Sequence, residues 1–147
     1  MERAYAGNPD KGDDGAGPLC AARLQARLPA ATSGRVLVID GRETSESQTG
    51  LIRRFGPELT IIIDDAVGGY PPGAVFVVKR EKIADEGVST HTISLVYPVR
   101  YLEESLGSRV IVPGIEPEDM SQGAPISPAV NRAEGEITDF LFKQVAV

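Results

Sequence analysis

Apolar positions along this chain fall into short β-branched runs, separated by stretches in which they recur every three or four residues. Val36 to Ile39, Thr60 to Ile63 and Val110 to Val112 are continuous enough to be strands buried on both faces of a sheet. A further run, Ala74 to Val78, follows the turn signal Tyr70-Pro-Pro-Gly73. Helical spacing runs from Pro18 to Leu28, through Leu19, Ala22, Leu24 and Leu28. It runs again from Thr92 to Leu106, through Leu95, Val99, Leu102 and Leu106. Ser127 and Pro128 supply a cap and a first-turn proline for a last helix that reaches about Lys143. Strands alternating with helices predict an α/β domain with a largely parallel sheet. The link from Ile63 to Ala74 is too short for a crossover helix, so the strand that follows it is expected to be antiparallel and at an edge. The opening segment is weak. Glu2 and Arg3 suit a buried strand poorly, and only Ala4 to Ala6 is expected to be extended.

Composition narrows the classes this pattern can serve. The 147 residues fit a single domain, 1–147, with a substantial core. A hydrophobic fraction of 41% and a charged fraction of 24% are ordinary for a globular protein. The net charge of −6 and the lack of any basic cluster beyond Arg53-Arg54 argue against a nucleic-acid partner. That arginine pair reads as a solvated helix surface. No apolar stretch approaches the roughly 18 residues that span a bilayer, and the N-terminus lacks a signal-peptide core. Membrane insertion is therefore not expected, and a cytoplasmic location is the default. Cys20 is the sole cysteine, which excludes an internal disulfide and suits buried packing within a helix.

The candidate chemistry lies in two acidic loops and one histidine. Gly7 to Pro18 joins the first strand to the first helix and is rich in glycine, as phosphate-binding loops are. Its glycines at 12, 15 and 17 do not give the dinucleotide spacing, and Asp10, Asp13 and Asp14 would repel a pyrophosphate. Asp13 or Asp14 can instead cap the helix, or one can cap while the other points into a cleft. Asp64 and Asp65 follow an isoleucine run, where open α/β sheets place ligands. A single Asp there is often only a turn residue, but like charges on two such loops call for a cation or a shared proton. His91, the only histidine, lies in a polar stretch before a helix; taken alone it reads as a surface residue. A single histidine excludes two-histidine zinc motifs. Carboxylates at two strand ends with one imidazole suit a borderline divalent metal.

In order and spacing these residues resemble the hydrogenase maturation endopeptidases, which process the large subunit of nickel–iron hydrogenases. The resemblance rests on Gly7-Asn-Pro-x-x-Gly-Asp-Asp-Gly-Ala-Gly-Pro18, Val38-Ile-Asp-Gly41 and Ile63-Asp-Asp-Ala-Val67 with Pro72-Gly73. It continues through Ser89-Thr-His91 with Ser94-Leu95, Gly114-Ile-Glu-Pro-Glu118 and Ser127-Pro128. It implies a three-layer α/β/α sandwich with a mostly parallel five-stranded sheet. It places the catalytic, metal-interacting residues at Asp14, Asp65 and His91. Ala66 selects Asp65 for the middle position, whereas counting back from Pro72-Gly73 selects Asp64. The resemblance also places a substrate-selecting motif at Asp40 and Gly41, ahead of the polar stretch from Arg42 to Thr49.

The implied activity is cleavage of a C-terminal extension from the nickel–iron hydrogenase large-subunit precursor once nickel is in place. Two carboxylates and one imidazole, without a thiolate, should hold a divalent metal weakly, so the nickel would come with the precursor. The metal could polarise the scissile carbonyl, or merely position it while an Asp acts as general base. Two rivals share these residues: a non-catalytic assembly factor that senses the metal centre, and an independent zinc metalloprotease with tightly bound metal.

Overall fold

A computed structural model describes residues 2–5, 12–32, 34–40, 46–83 and 95–145, with the backbone alone at 2–5, 14, 31, 46 and 47. The strands are β1 (Glu2–Tyr5), β2 (Leu37–Asp40), β3 (Leu59–Asp65), β4 (Val75–Val77), β5 (Arg109–Ile111) and β6 (Pro113–Ile115). The helices are α1 (Ala16–Arg27), α2 (Glu46–Phe55), α3 (Arg80–Ile83), α4 (Val96–Arg100) and α5 (Pro128–Val145). A 3-10 turn over Gly12–Gly15 leads into α1, and a π-helical turn over Tyr101–Ser105 continues α4.

The strand order is β2-β1-β3-β6-β4, with β5 also on β3. β1, β2, β3, β5 and β6 run parallel, and β4 pairs antiparallel with β6 at the edge, as the short Ile63–Ala74 link required. β5 and β6 are one strand interrupted at Val112. Both keep the same register on β3, Leu59 opposite Arg109 and Asp65 opposite Ile115. Pro113 explains the break, since proline has no N–H to give to the ladder. Counted this way the sheet has the expected five strands.

Helices cover both faces and complete the sandwich. On one face, Ala16, Cys20, Ala21 and Leu24 of α1 and Val130, Ala133 and Leu141 of α5 pack on Ile61, Ile63 and Ile115. On the other, Val99 and Leu102 pack on Ile62 and Val112, joined by Ile52 of α2 and Ile83 of α3. Each wholly buried aliphatic side chain, such as Leu24, Ile63 or Ile115, contributes about 1.5–3 kcal/mol relative to exposure.

Three expectations from the sequence need correction, and one element was not expected. The first strand begins at Glu2, not Ala4, and lies in the middle of the sheet, paired on both sides; Ala6 lies outside the described residues. Backbone pairing to two neighbours outweighs the poor strand character of Glu2 and Arg3. In α1 the inward face carries Ala16, Cys20, Ala21 and Leu24, while Ala22 is exposed. The helix starts two residues earlier than Pro18, which shifts its apolar stripe. The polar stretch Arg42 to Thr49 is not all loop, because α2 begins at Glu46 and carries Arg53 and Arg54 on its exposed side. The short α3 was not anticipated.

Gly114 of β6 shows how closely the chain ends of the flanking strands β3 and β4 crowd one face of the sheet. A Cβ there would lie 2.8 Å from the Ala66 Cβ and 3.0 Å from Val78 Cγ2. Neither neighbour can swing away as a long side chain would, so Gly114→Ala should cost about 1–3 kcal/mol. Chemical denaturation should show this as a lower midpoint at unchanged slope. An unaltered midpoint would mean that the sheet yields more easily than this packing implies.

Candidate active site

β1, β2 and β3 are parallel and in register, so their carboxyl ends form one rim. Asp40 closes β2, Tyr5 closes β1 in the adjacent row, and Asp64 and Asp65 close β3. The 3-10 turn that contains Asp13 and Asp14 packs against β3. The fold thus brings Asp40, the backbone of Asp14 and the Asp64-Asp65 pair to one edge of the sheet. Gly41, His91 and the side chain of Asp14 lie outside the described residues.

Asp64 and Asp65 are each only 3% exposed, an unusual degree of burial for carboxylates. Consecutive strand residues face opposite sides of the sheet. Asp65 continues the row of Ile61 and Ile63, which face α1 and α5. Asp64 continues the side of Ile62, which faces α4. Both border a narrow recess of about 20 Å³, room for one water-sized group. Ala66, Val78, Lys82, Ile83, Leu95 and Val112 complete its lining. Among the described residues no group of three His, Cys, Asp or Glu side chains could hold a metal ion. Asp65 does share its face of the sheet with α1, whose leading turn carries Asp14.

Asp13 proves not to cap α1; the N-cap position is Gly15, without a side-chain hydrogen bond. Its carboxylate, wholly buried, accepts from the N–H groups of Glu118 and Asp119 at 2.7 and 2.9 Å. It also accepts from Ser127, from the N–H at 2.7 Å and the hydroxyl at 3.0 Å. The Asp13 N–H in turn donates to the Asp119 carbonyl at 2.9 Å. Gly12, at φ 56°, allows this approach, because a Cβ there would meet the Asp119 carbonyl oxygen at 2.3 Å. The expected cap at Ser127 is present: its Oγ accepts the Val130 N–H at 3.4 Å while donating to Asp13.

Glu116 makes the matching contact on the other side of the same turn. Its carboxylate accepts the Gly68 N–H on both oxygens, at 3.0 and 3.1 Å, and the Tyr70 N–H at 2.7 Å. Its own N–H and carbonyl bond Ala74 and Gly73. The segment from Glu116 to Asp119 therefore ties the loop after Asp65 to the loop that carries Asp14. Further along, the Ser121 hydroxyl, followed by its N–H, holds the exposed Asp119 carboxyl below the usual carboxylate range. Sequence reasoning took Gly-Ile-Glu-Pro-Glu only as a motif and missed this bracing. The available signal was an acid, Glu116, directly after the apolar run Val110 to Ile115. A second buried glutamate, Glu134 of α5, pairs with Arg23 and accepts from Thr138 at 2.6 Å. It fastens α5 to α1, away from the rim.

Fold and rim together define an α/β sandwich with an acidic site at the carboxyl ends of its parallel strands. A model of the hydrogenase maturation protease family matches residues 18–144, and the chain belongs to that family. It is thereby a peptidase of hydrogenase processing. It is 36% identical to the hydrogenase 3 maturation protease of Escherichia coli K12, across 96% of this chain and 93% of that one. A putative hydrogenase maturation protease of Methanocaldococcus jannaschii is 26% identical across 93% of this chain and 83% of its own. Among solved structures, the [NiFe] hydrogenase maturation protease HycI of Thermococcus kodakarensis superposes with a TM-score of 0.85 at 25% identity. That match covers all of this chain and 93% of the other. Among the described residues no helix is long and apolar enough to cross a membrane.

Proposed function

We propose that this protein removes the C-terminal extension of a nickel–iron hydrogenase large-subunit precursor after nickel insertion, with the inserted nickel as the signal to cut. The observation that carries this reading is the rim itself. Asp65 closes β3 on the face of α1, beside the turn that contains Asp14, while Asp13 and Glu116 are occupied in holding backbone. Asp14 and Asp65, with His91, form a donor set of two carboxylates and one imidazole, which fits a borderline divalent ion but lacks the thiolates of a tight structural site. Nickel enters as part of the substrate. Within the protein, a carboxylate at this rim takes the proton from the attacking water, and His91 orients the metal-bearing segment. The Asp40-Gly41 segment, at the carboxyl end of β2, selects which precursor is accepted.

Incubating the purified protein with large-subunit precursors, with and without nickel, and weighing the products tests the reading. Nickel-loaded precursor should lose mass from its C-terminus and nickel-free precursor should not. Equal cleavage of both would remove nickel as the signal. Binding without cleavage would leave an assembly factor. The purified protein should also hold less than stoichiometric metal after dialysis against a chelator. Retained stoichiometric zinc would favour an independent metalloprotease.

A further inference from the structure

We propose that the open edge of β4 receives the substrate segment preceding the scissile bond as an added, antiparallel strand. The inference rests on the protein-cleaving function proposed above. β4 ends the strand order, so among the described residues one of its sides meets no other strand. Its ladder to β6 fixes which groups face outward. Glu116 N–H donates to Ala74, Val78 N–H donates to Val112, and Phe76 lies opposite Gly114 between them. Antiparallel pairing alternates, so Val75 and Val77 turn their N–H and C=O groups to the open side.

The side chains agree. Val75 is 47% exposed and Val77 65%, with no charge or proline between them. Proteins ordinarily guard a free edge with lysine, proline or a bulge, because an unguarded apolar edge recruits other strands. Val67 and Tyr70, also exposed, extend the apolar surface toward the rim, and the Tyr70 ring packs against Phe76 at a tilt of 44°, with centroids 4.8 Å apart. This is the form of a site for β-strand addition, in which backbone bonds give affinity and alternate side chains give selectivity.

Register links this edge to the acids. Asp65 is opposite Ile115, and Ile115 is opposite Val75, so the three form one row across the sheet. A strand added outside β4 would lie three spacings from Asp65, roughly 14 Å at about 4.8 Å each. β4 runs away from the rim, so an antiparallel partner runs toward it and leaves past Val75. About four or five extended residues at ~3.3 Å each then carry the chain over the rim to Asp65. The body of the substrate stays outside the sheet while the bond to be cut arrives at the acids.

Val77→Pro removes an outward N–H and leaves the bonds of residues 74, 76 and 78 to β6 in place. With nickel-loaded precursor it should raise KM about tenfold or more, with kcat within about twofold, whereas Phe140→Ser, at an exposed apolar position on α5, should match the native protein. In parallel, the cleavage-deficient Asp65→Asn protein with bound precursor should show slowed hydrogen exchange at the Val75 and Val77 amides, a readout independent of whether the proline variant folds. Native KM in Val77→Pro, or unprotected Val75 and Val77 amides in the bound complex, overturns the docking proposal while leaving the protease reading standing. Failure of the native protein to cut any nickel-loaded precursor removes both.

Discussion

Replacing Asp13 with alanine should lower the stability of the protein by about 3–5 kcal/mol, although Asp13 takes no part in the proposed chemistry. Its carboxylate receives four hydrogen bonds, three from backbone N–H groups and one from the Ser127 hydroxyl. Alanine removes the acceptor and leaves these donors facing a void, at least one of them, Ser127, in a buried position. Each unsatisfied buried donor costs about 1–3 kcal/mol, and bonds to a charged acceptor lie at the upper end. Asparagine keeps the shape and one acceptor oxygen, so Asp13→Asn should lose roughly half as much. Urea titrations would read both as shifts in midpoint at constant slope. A loss below about 1 kcal/mol for Asp13→Ala would mean that the 116–119 segment stays in place without its brace. Because the effect is one of folding, cleavage by Asp13→Asn should fall only with the folded fraction.

The fold was legible where side-chain pattern decides it. Ile61 to Ile63 announced a strand buried on both faces, and the short link from Ile63 to Ala74 implied the antiparallel edge at β4. β1 was nearly invisible, because its place between β2 and β3 depends on backbone pairing with residues about 35 and 58 positions away. The interruption at Val112 was hidden for a different reason: Pro113 breaks the hydrogen bonding without changing the direction or register of the strand. At the rim, the acids could be picked out but not sorted by residue pattern. Asp13 and Asp14 are adjacent and chemically identical, and only the distant Glu118, Asp119 and Ser127 reveal that Asp13 is engaged as a brace. Glu116 escaped for the same reason, since its partners Gly68 and Tyr70 lie nearly fifty residues earlier.

Asparagine at Asp14 or Asp65, or alanine at His91, should reduce cleavage of nickel-loaded precursor by about 10²–10⁴-fold, the range a positioned acid–base group supplies. Asparagine is the informative replacement for Asp65. That residue is not in a loose loop but closes a strand, and it is 3% exposed, so alanine would open a void and confound folding with chemistry. Asn keeps the volume and removes the negative charge together with its basicity. The Asp64→Asn variant decides the middle position. Asp64 lies on the α4 side of the sheet, and Asp65 lies on the side of α1 and its leading turn. If Asp65 is the working carboxylate, Asp64→Asn should keep activity within about tenfold of the native protein. Loss in Asp64→Asn with an active Asp65→Asn would transfer the role to Asp64 and move the working face from α1 to α4. Steady-state kinetics on nickel-loaded precursor separate the two remaining roles. A carboxylate that only binds the precursor's metal should raise KM more than it lowers kcat, and one that acts as general base should lower kcat.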